Sequence, residues 1–449
     1  MIKKIFILFY LFIIIFYLVP DTTDDETNIP SVDKYKEILT YGIEEEVTGI
    51  LKNLGNSPGK EIYTLLSERY KEALLPDTKI ELIRYFINCN NLPDNIITLL
   101  YEDAKNEPEN LKVYTTLLNF LGKKGNVEHG LFLIKCLDNY EDIIKTSAAD
   151  ALTEMKHKEI ALPILNRLKE SETNEEKYLT DDIKGKLILA LGKMKAVEAA
   201  DYLRNIVKDT SSNKFLIMYS MVSLAEIQDI NSIDIIKNNL NNEEIRIQEY
   251  AGYALSKFNT STVLPILKLM LKHNNEKIRI FACQGIVTNN DVKSTNILLY
   301  KYKNDPSEKV RYEALKSLVL LGTTGINTIK SYIKNNKLQD SDIYIISDAV
   351  TSKPDNTNIE YLANLYDNVD DKKKDIIAKN IIKGTSNKLD PLINKLLKSE
   401  DQYIRVNAIK TIYNIEGSSL WNKVKELSQN DPSSLVKKIA KYYLDLKKI

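Results

Sequence analysis

Apolar and small residues stand out from the polar residues around them in a pattern that returns about every 32 positions along the chain. Each copy has an apolar residue at position i, small residues at i+4 and i+7, and an apolar residue at i+8, as in Ile278, Ala282, Gly285 and Ile286. These positions share one face of an α-helix. A fixed period of this length predicts a stacked array of similar helical units.

The residue at i+4 marks the centre of each unit. The clear copies are centred on Ala148, Leu187, Ser220, Ala251, Ala282, Ala314, Ile346, Ala378, Ala408 and Ala440. Two weaker copies are centred on Ile83 and Thr115, and a helical stretch from Asp33 to Ser57 belongs to no assigned unit. The chain therefore predicts about twelve units.

Each unit divides into two helical runs with a polar turn between them. In the unit centred on Ala282, residues 263–271 form the first run, residues 277–287 form the second, and residues 273–275 form the turn. Small residues in the middle of the second run predict that two helices approach closely there.

Two local features of the turns carry further predictions. Asp305-Pro306 and Asp431-Pro432 precede second helices, where Asp is predicted to cap the helix and Pro to occupy its first position. The segment Ser171–Lys177 lengthens one unit and is predicted to protrude as a loop.

A second motif recurs with the same period, just before the central residue. An apolar residue and a cation precede the central Ala at Ile278-Arg279, Val310-Arg311, Ile404-Arg405 and Val436-Lys437. With two helices per unit, this motif resembles the HEAT repeat, and more narrowly the short bacterial HEAT-like class first noted in phycobilisome lyases. The resemblance spans roughly residues 60–449. It implies an all-α fold, a right-handed α-solenoid of about twelve stacked repeats whose second helices line the concave side.

The recurrent cation has two interpretations. Arg279, Arg311 and Arg405 are flanked by turn acids such as Asp305 and Asp431. We interpret them as a structural ladder, in which arginines bond acids and carbonyl groups of adjacent units. The alternative is a stripe of cations that binds phosphate groups.

The first twenty residues differ from the repeats. Lys3 and Lys4 precede an uninterrupted apolar run from Ile5 to Val19, which Pro20 ends. A basic start and a short apolar core are typical of an export signal, and the run is shorter than the roughly 20 residues that span a bilayer. Since no small-residue cleavage site follows, a cleaved signal peptide and a retained membrane anchor both remain open.

These features predict the domain boundaries and the cellular location of the protein. Residues 1–20 are the signal or anchor, residues 21–32 a polar acidic linker, and residues 33–449 the solenoid. Both interpretations of the first segment place the bulk of the chain outside the cytoplasm, in a bacterium the periplasm. A cytoplasmic array whose first residues only anchor it is a third interpretation.

Composition argues against several classes of function. The 62 Lys and Arg residues balance the 62 Asp and Glu residues, so no general attraction to phosphate backbones exists and no nucleic-acid partner is expected. The three cysteines form no CxxC pair and are interpreted as small buried residues. His129, His157 and His273 lack metal-ligand spacing, and none precedes a Glu as in the HEAT-like deoxyhypusine hydroxylase. We expect no enzyme activity, no cofactor and no metal site.

The remaining hypothesis is a binding protein. Two residues after each centre, the second helix points away from its packed face and is predicted to contact a protein partner of unknown identity. The candidate residues are Tyr253, Gln284, Lys316, Lys410 and Tyr442. An ordinary solvated face explains them equally well. The main hypothesis is a non-catalytic interaction scaffold, exported or tethered to the membrane through residues 1–20.

The alternative is a lyase-like or chaperone-like protein that acts on a protein substrate. It follows from the resemblance, because phycobilisome lyases attach bilin chromophores to proteins. Such an activity needs a pocket and an accessible nucleophile. The candidates are Cys89, Cys136 and Cys283.

Overall fold

The computed structural model describes residues 32–334 and 337–447. Over these residues the chain forms 26 α-helices and nine short 3-10 turns, and no strand occurs among them. The chain divides into two compact units between Met155 and Lys156. The predicted signal or anchor, and the predicted linker apart from its last residue, lie outside the described residues.

The first unit contains eight helices. They are α1 (Val32–Tyr41), α2 (Glu44–Ile50), α3 (Lys60–Glu72), α4 (Pro76–Asn88), α5 (Asp94–Lys105), α6 (Leu111–Lys124), α7 (Val127–Cys136) and α8 (Asp142–Glu154).

The second unit contains eighteen helices. They are α9 (Ala161–Thr173), α10 (Asp181–Lys193), α11 (Ala200–Lys208), α12 (Lys214–Ile227), α13 (Ile233–Asn238), α14 (Ile245–Lys257), α15 (Leu264–Met270), α16 (Glu276–Thr288), α17 (Thr295–Asn304), α18 (Glu308–Leu320), α19 (Gly322–Ile333), α20 (Asp340–Ser352), α21 (Asn356–Asp367), α22 (Asp371–Ile381), α23 (Asp390–Leu396), α24 (Gln402–Asn414), α25 (Trp421–Asn430) and α26 (Ser434–Lys447).

In both units, even-numbered helices pack on one another and odd-numbered helices flank them. In the second unit the even-numbered helices pack in an unbroken series from α10 to α26, and most odd-numbered helices pack against the even-numbered helix that follows. The same alternation runs from α2 to α8 in the first unit. The described residues thus form thirteen helix pairs: the twelve predicted repeats, and α1 with α2 over the unassigned stretch. The prediction of an all-α solenoid is confirmed.

The predicted central residues lie in the core. Eleven of the twelve have no solvent exposure, Ala282 and Ala314 among them. Thr115 is the exception, since it is half-buried on α6 whereas Leu118 on the same helix is fully buried. Its assignment as a centre is therefore wrong, because the apolar pattern of α6 turns Leu118 rather than Thr115 toward the core.

Close contacts between helices explain the small residues of the pattern. A Cβ atom added at Gly285 would lie 2.6 Å from Leu267 Cδ2 and 3.1 Å from Ser256 Cα on α14. One added at Gly192, which lies outside the pattern, would lie 2.7 Å from the Cα atom of Ser223 on α12, the small residue at i+7 of its own copy. A larger residue at either position would push neighbouring helices apart, because packed interiors leave little free space.

The predicted role of the Asp-Pro turns is wrong. The hydroxyl of Ser307, not Asp305, accepts the capping hydrogen bond from the Val310 backbone N–H at 3.4 Å, and α18 begins after it. Ser433 occupies the same position before α26, where the preceding acid is Asp431. Both Asp side chains instead face the preceding repeat.

The predicted loop at Ser171–Lys177 is also mostly wrong. Helix α9 continues to Thr173, and Ser171 is buried on it. Residues Glu175–Lys177 then form a 3-10 turn, and the Lys177 carbonyl oxygen accepts a hydrogen bond from Arg167 Nη1 at 2.8 Å. The extra residues of this longer unit therefore extend helix α9 and form a turn that is held by a hydrogen bond.

Candidate partner-binding face

A buried guanidinium group ties two repeats together at Arg279. Its Nε and Nη2 atoms donate to the two carboxylate oxygens of Asp305 at 3.0 and 2.9 Å, and its Nη1 donates to the carbonyl oxygens of His273 and Asn274. Burial alone would raise the pKa of Asp305, but the hydrogen bonds from Arg279, Ser307 and Lys301 hold that pKa below its ordinary value. Both side chains are therefore charged and mutually satisfied.

Arg405 repeats this arrangement with Asp431. The two hydrogen bonds to the carboxylate measure 2.8 and 2.7 Å, and Nη1 donates to the carbonyl oxygens of Ser399 and Glu400. At Arg279 and Arg405 the structural-ladder interpretation is confirmed. Neither guanidinium group is available to bind phosphate, because both are buried and each already donates four hydrogen bonds.

The outward surface of four successive even-numbered helices forms a groove of about 550 Å³. We call it the aromatic groove, and it spans α10, α12, α14 and α16. Its lining residues are Leu189, Tyr219, Val222, Glu249, Tyr250, Tyr253, Lys277 and Phe281. The ring centroids of Tyr219 and Tyr250 lie 6.3 Å apart, and those of Tyr253 and Phe281 lie 5.6 Å apart. Both pairs are edge-to-face, a favourable geometry for aromatic rings.

The groove has one charge pair among its apolar walls. Glu249 accepts hydrogen bonds from Lys277 Nζ at 2.8 Å and from Asn275 Nδ2 at 3.2 Å. Burial raises the pKa of Glu249, but these hydrogen bonds outweigh burial and lower that pKa overall. Lys257 Nζ lies 4.9 Å from the centroid of the Tyr253 ring, a cation–π distance. The groove thus offers aromatic surface with its own charges compensated.

A polar cluster follows the groove on α18 and α20. We call it the Asp348 cluster, and it consists of Tyr312, Lys316 and Asp348. The Tyr312 hydroxyl donates to Asp348 Oδ2 at 2.7 Å, and Lys316 Nζ lies 2.8 Å from the same oxygen. These bonds keep the pKa of Asp348 below its ordinary value although burial opposes them. Glu313, beside the cluster, instead has a raised pKa because it is partly buried.

The predicted contact residues lie on five different helices. Tyr253 lines the aromatic groove, Gln284 lies on α16 next to Glu313, and Lys316 belongs to the Asp348 cluster. Lys410 is half-buried on α24, and Tyr442 is 55% exposed on α26. All five lie on even-numbered helices of the second unit, and their contact with a partner remains a prediction.

Sequence analysis missed most of the groove. Tyr219, Tyr250 and Phe281 each directly precede the central residue of their repeat. That position also points outward, since it shares a helix face with the residue two after the centre. An aromatic residue at this position in three consecutive repeats is a signal visible in the sequence. The prediction considered only the position two residues after each centre and therefore did not include it.

The cysteines offer no accessible nucleophile. Cys89, Cys136 and Cys283 are all buried free thiols. Burial raises the pKa of Cys136 to about 11 and also raises the pKa values of the other two. A thiol with a raised pKa is a poor nucleophile near neutral pH. These residues pack as small apolar side chains.

Metal sites and membrane-spanning helices are both absent from the part of the chain that the structure describes. Among the described residues, no group of three or more His, Cys, Asp or Glu side chains could hold a metal ion. No helix within residues 32–334 and 337–447 combines the length and apolar character needed to cross a bilayer.

Paired helices, buried small centres and arginine–aspartate ties between repeats define an α-solenoid of HEAT repeats. The family model described as spirochaete HEAT repeat protein matches residues 39–442. The chain therefore belongs to this family, and the predicted relation to HEAT repeats is confirmed. A search of curated proteins found no significant match.

Solved structures with a similar fold are distant in sequence. An engineered protein is 14% identical over 88% of this chain and 96% of its own, with a TM-score of 0.32. Importin beta is 12% identical over 96% of this chain and 61% of its own, with a TM-score of 0.46. Human deoxyhypusine hydroxylase, in complex with glycerol, is 14% identical over 58% of this chain and 95% of its own, with a TM-score of 0.25. At these scores none of them bears on function.

Proposed function

We propose that the protein is a non-catalytic scaffold that binds another protein along the outward face of its even-numbered helices, with the aromatic groove as the main contact. The observation that carries this proposal is the juxtaposition of four aromatic rings from three repeats around one groove. Aromatic side chains dominate the binding energy of protein interfaces, because they bury large areas and lose little conformational freedom.

The groove favours one kind of contact. Its apolar walls fit an aliphatic or aromatic side chain from the partner, and its charges are already paired. The adjacent Asp348 cluster supplies polar groups of the kind found at an interface rim. The predicted residues Tyr253, Gln284 and Lys316 contribute to this surface.

The test is co-purification from membrane extracts of the native host. The variants Tyr253→Ala and Phe281→Ala should each lose the partner that the unaltered protein recovers, since truncation of a central aromatic residue costs about 2 kcal/mol or more. Tyr300→Ala is the matched control, because Tyr300 is 61% exposed on α17, an odd-numbered helix. Equal recovery by all three variants would refute the groove as the contact.

The proposal omits catalysis for a structural reason. A lyase-like or chaperone-like activity using a thiol would require one of the cysteines at the surface, and all three are buried. No observation on the described residues favours that alternative over binding.

We further propose that residues 1–20 export the array or tether it to the membrane, with its bulk outside the cytoplasm. Support comes from the sequence, where two lysines precede an apolar run that Pro20 ends. Protease added to intact cells with a permeabilised outer membrane should digest the unaltered protein but not a variant lacking residues 1–20. Protection of both forms would refute export.

A further inference from the structure

The position directly before each central residue changes character along the second unit. It is occupied by Tyr219, Tyr250 and Phe281 in three successive repeats and by Glu313 in the next. Glu313 lies on α18, which packs against the groove helix α16. A carboxylate therefore continues the line of aromatic residues at the edge of the groove.

Glu313 lacks a charged partner of its own. Among the described residues no Lys, Arg or His nitrogen lies within 4.0 Å of its carboxylate, whereas Glu249 and Asp348 are each paired with a lysine. Lys316, whose charge acts to lower the pKa of Glu313, is engaged at 2.8 Å with Asp348. The Glu313 side chain is half-buried, and burial raises its pKa despite opposing effects of Lys316 and Gln284.

A half-buried carboxylate without a cation is costly unless something pairs with it. Two lysines of this face are already paired, Lys277 with Glu249 and Lys316 with Asp348, and Lys257 lies over the Tyr253 ring. Glu313 is thus a carboxylate beside the groove with which no cation of the described residues forms an ion pair. It is complementary to a cationic side chain.

We propose that the bound partner segment carries a Lys or Arg that pairs with Glu313, next to an apolar or aromatic side chain seated in the aromatic groove. This inference rests on the proposed function and specifies the chemistry of the partner. An Arg or Lys against a carboxylate forms a charge-assisted hydrogen bond, which is stronger than a neutral one.

The repeat geometry sets the spacing of the two partner residues. Packed helices lie about 8–10 Å apart, so Phe281 on α16 and Glu313 on α18 offer contacts at about that separation. An extended segment covers this distance in about three residues. A helical segment covers it in about six or seven.

The experiment is selection of a random peptide library displayed on phage against the full-length protein in mild detergent. Peptides that also bind the Phe281→Ala variant are removed. The remaining peptides should share an apolar or aromatic residue and a Lys or Arg at one of the two spacings. A synthetic peptide of the selected sequence is then titrated against Glu313→Gln and against Glu308→Gln, a matched control at the exposed first turn of α18.

Glu313→Gln should weaken peptide binding on the order of tenfold to a hundredfold, whereas Glu308→Gln should leave it unchanged. Restored affinity for Glu313→Gln when the basic residue is replaced by Gln would add support. Apolar peptides without a basic residue, or equal binding by Glu313→Gln, would overturn this inference while leaving the scaffold proposal intact. Absence of any peptide that depends on Phe281 would overturn both.

Discussion

Removing one aspartate should loosen the array at one junction. Asp305 is fully buried and accepts hydrogen bonds from Arg279 at 3.0 and 2.9 Å and from Lys301 at 3.1 Å. In the variant Asp305→Ala the Arg279 guanidinium stays buried, with its side chain 9% exposed, and loses its anion. Leaving one partner of a buried ion pair alone costs about 3–5 kcal/mol.

The assay is hydrogen exchange measured by mass spectrometry. Because stability in a repeat array depends on contacts between neighbours, the loss should be local, and peptides from α16 to α18 should exchange faster while those from α10 do not. Asp371→Ala is the control, because its ion pair with Lys374 is exposed and such pairs contribute about 0–1 kcal/mol.

The double variant Arg279→Met/Asp305→Ala tests the cause. It removes the buried guanidinium along with the aspartate and leaves only Lys301, whose side chain is 14% exposed, without its anion. Exchange in α16 to α18 should therefore slow in part relative to Asp305→Ala alone. If Asp305→Ala exchanges like Asp371→Ala, or if the double variant is no better than the single one, the interpretation of the buried pair as a tie between repeats is refuted.

Three further predictions concern other sites. Glu313→Gln should raise the free energy of unfolding at pH 7, because folding raises the pKa of Glu313 and the ionised carboxylate therefore destabilises the folded state. This gain in stability should fade as the pH drops toward the ordinary glutamate pKa of 4.5, and thermal unfolding at several pH values measures it. Gly285→Val should destabilise the array by about 1–3 kcal/mol in chemical denaturation, since even a Cβ atom would clash with Leu267, and Gly49→Ala, whose Cβ meets open space, is its control. A thiol reagent at pH 7.5 should label the native protein slowly and the urea-unfolded protein at three sites. Fast native labelling would contradict burial of Cys89, Cys136 and Cys283.

The repeat architecture could be predicted because its cause is local. A helix that stacks on two neighbours needs small residues where backbones approach, and Gly285 meets Ser256 Cα at such a point. The i, i+4, i+7, i+8 pattern therefore follows from packing and is visible in one repeat at a time. At Thr115 the pattern is weak, and the assignment of the centre was wrong.

Contacts between repeats were harder to predict. Asp305 looks like a capping residue when only its own turn is considered, yet its partner is Arg279, twenty-six positions earlier. The aromatic groove likewise combines side chains of four even-numbered helices, and Tyr219, Tyr250 and Phe281 gain their meaning only when the repeats are aligned with one another. Local propensities hold no information on which outward residues become neighbours.

The most direct test of the scaffold account is photo-crosslinking in intact cells. A photoreactive amino acid replaces Val222, which lines the aromatic groove, or Tyr300, which is exposed on α17. The account predicts one discrete crosslinked protein from position 222 that is lost in the Phe281→Ala background, and none from position 300. Crosslinks of equal pattern from both positions, or none from position 222, would contradict it.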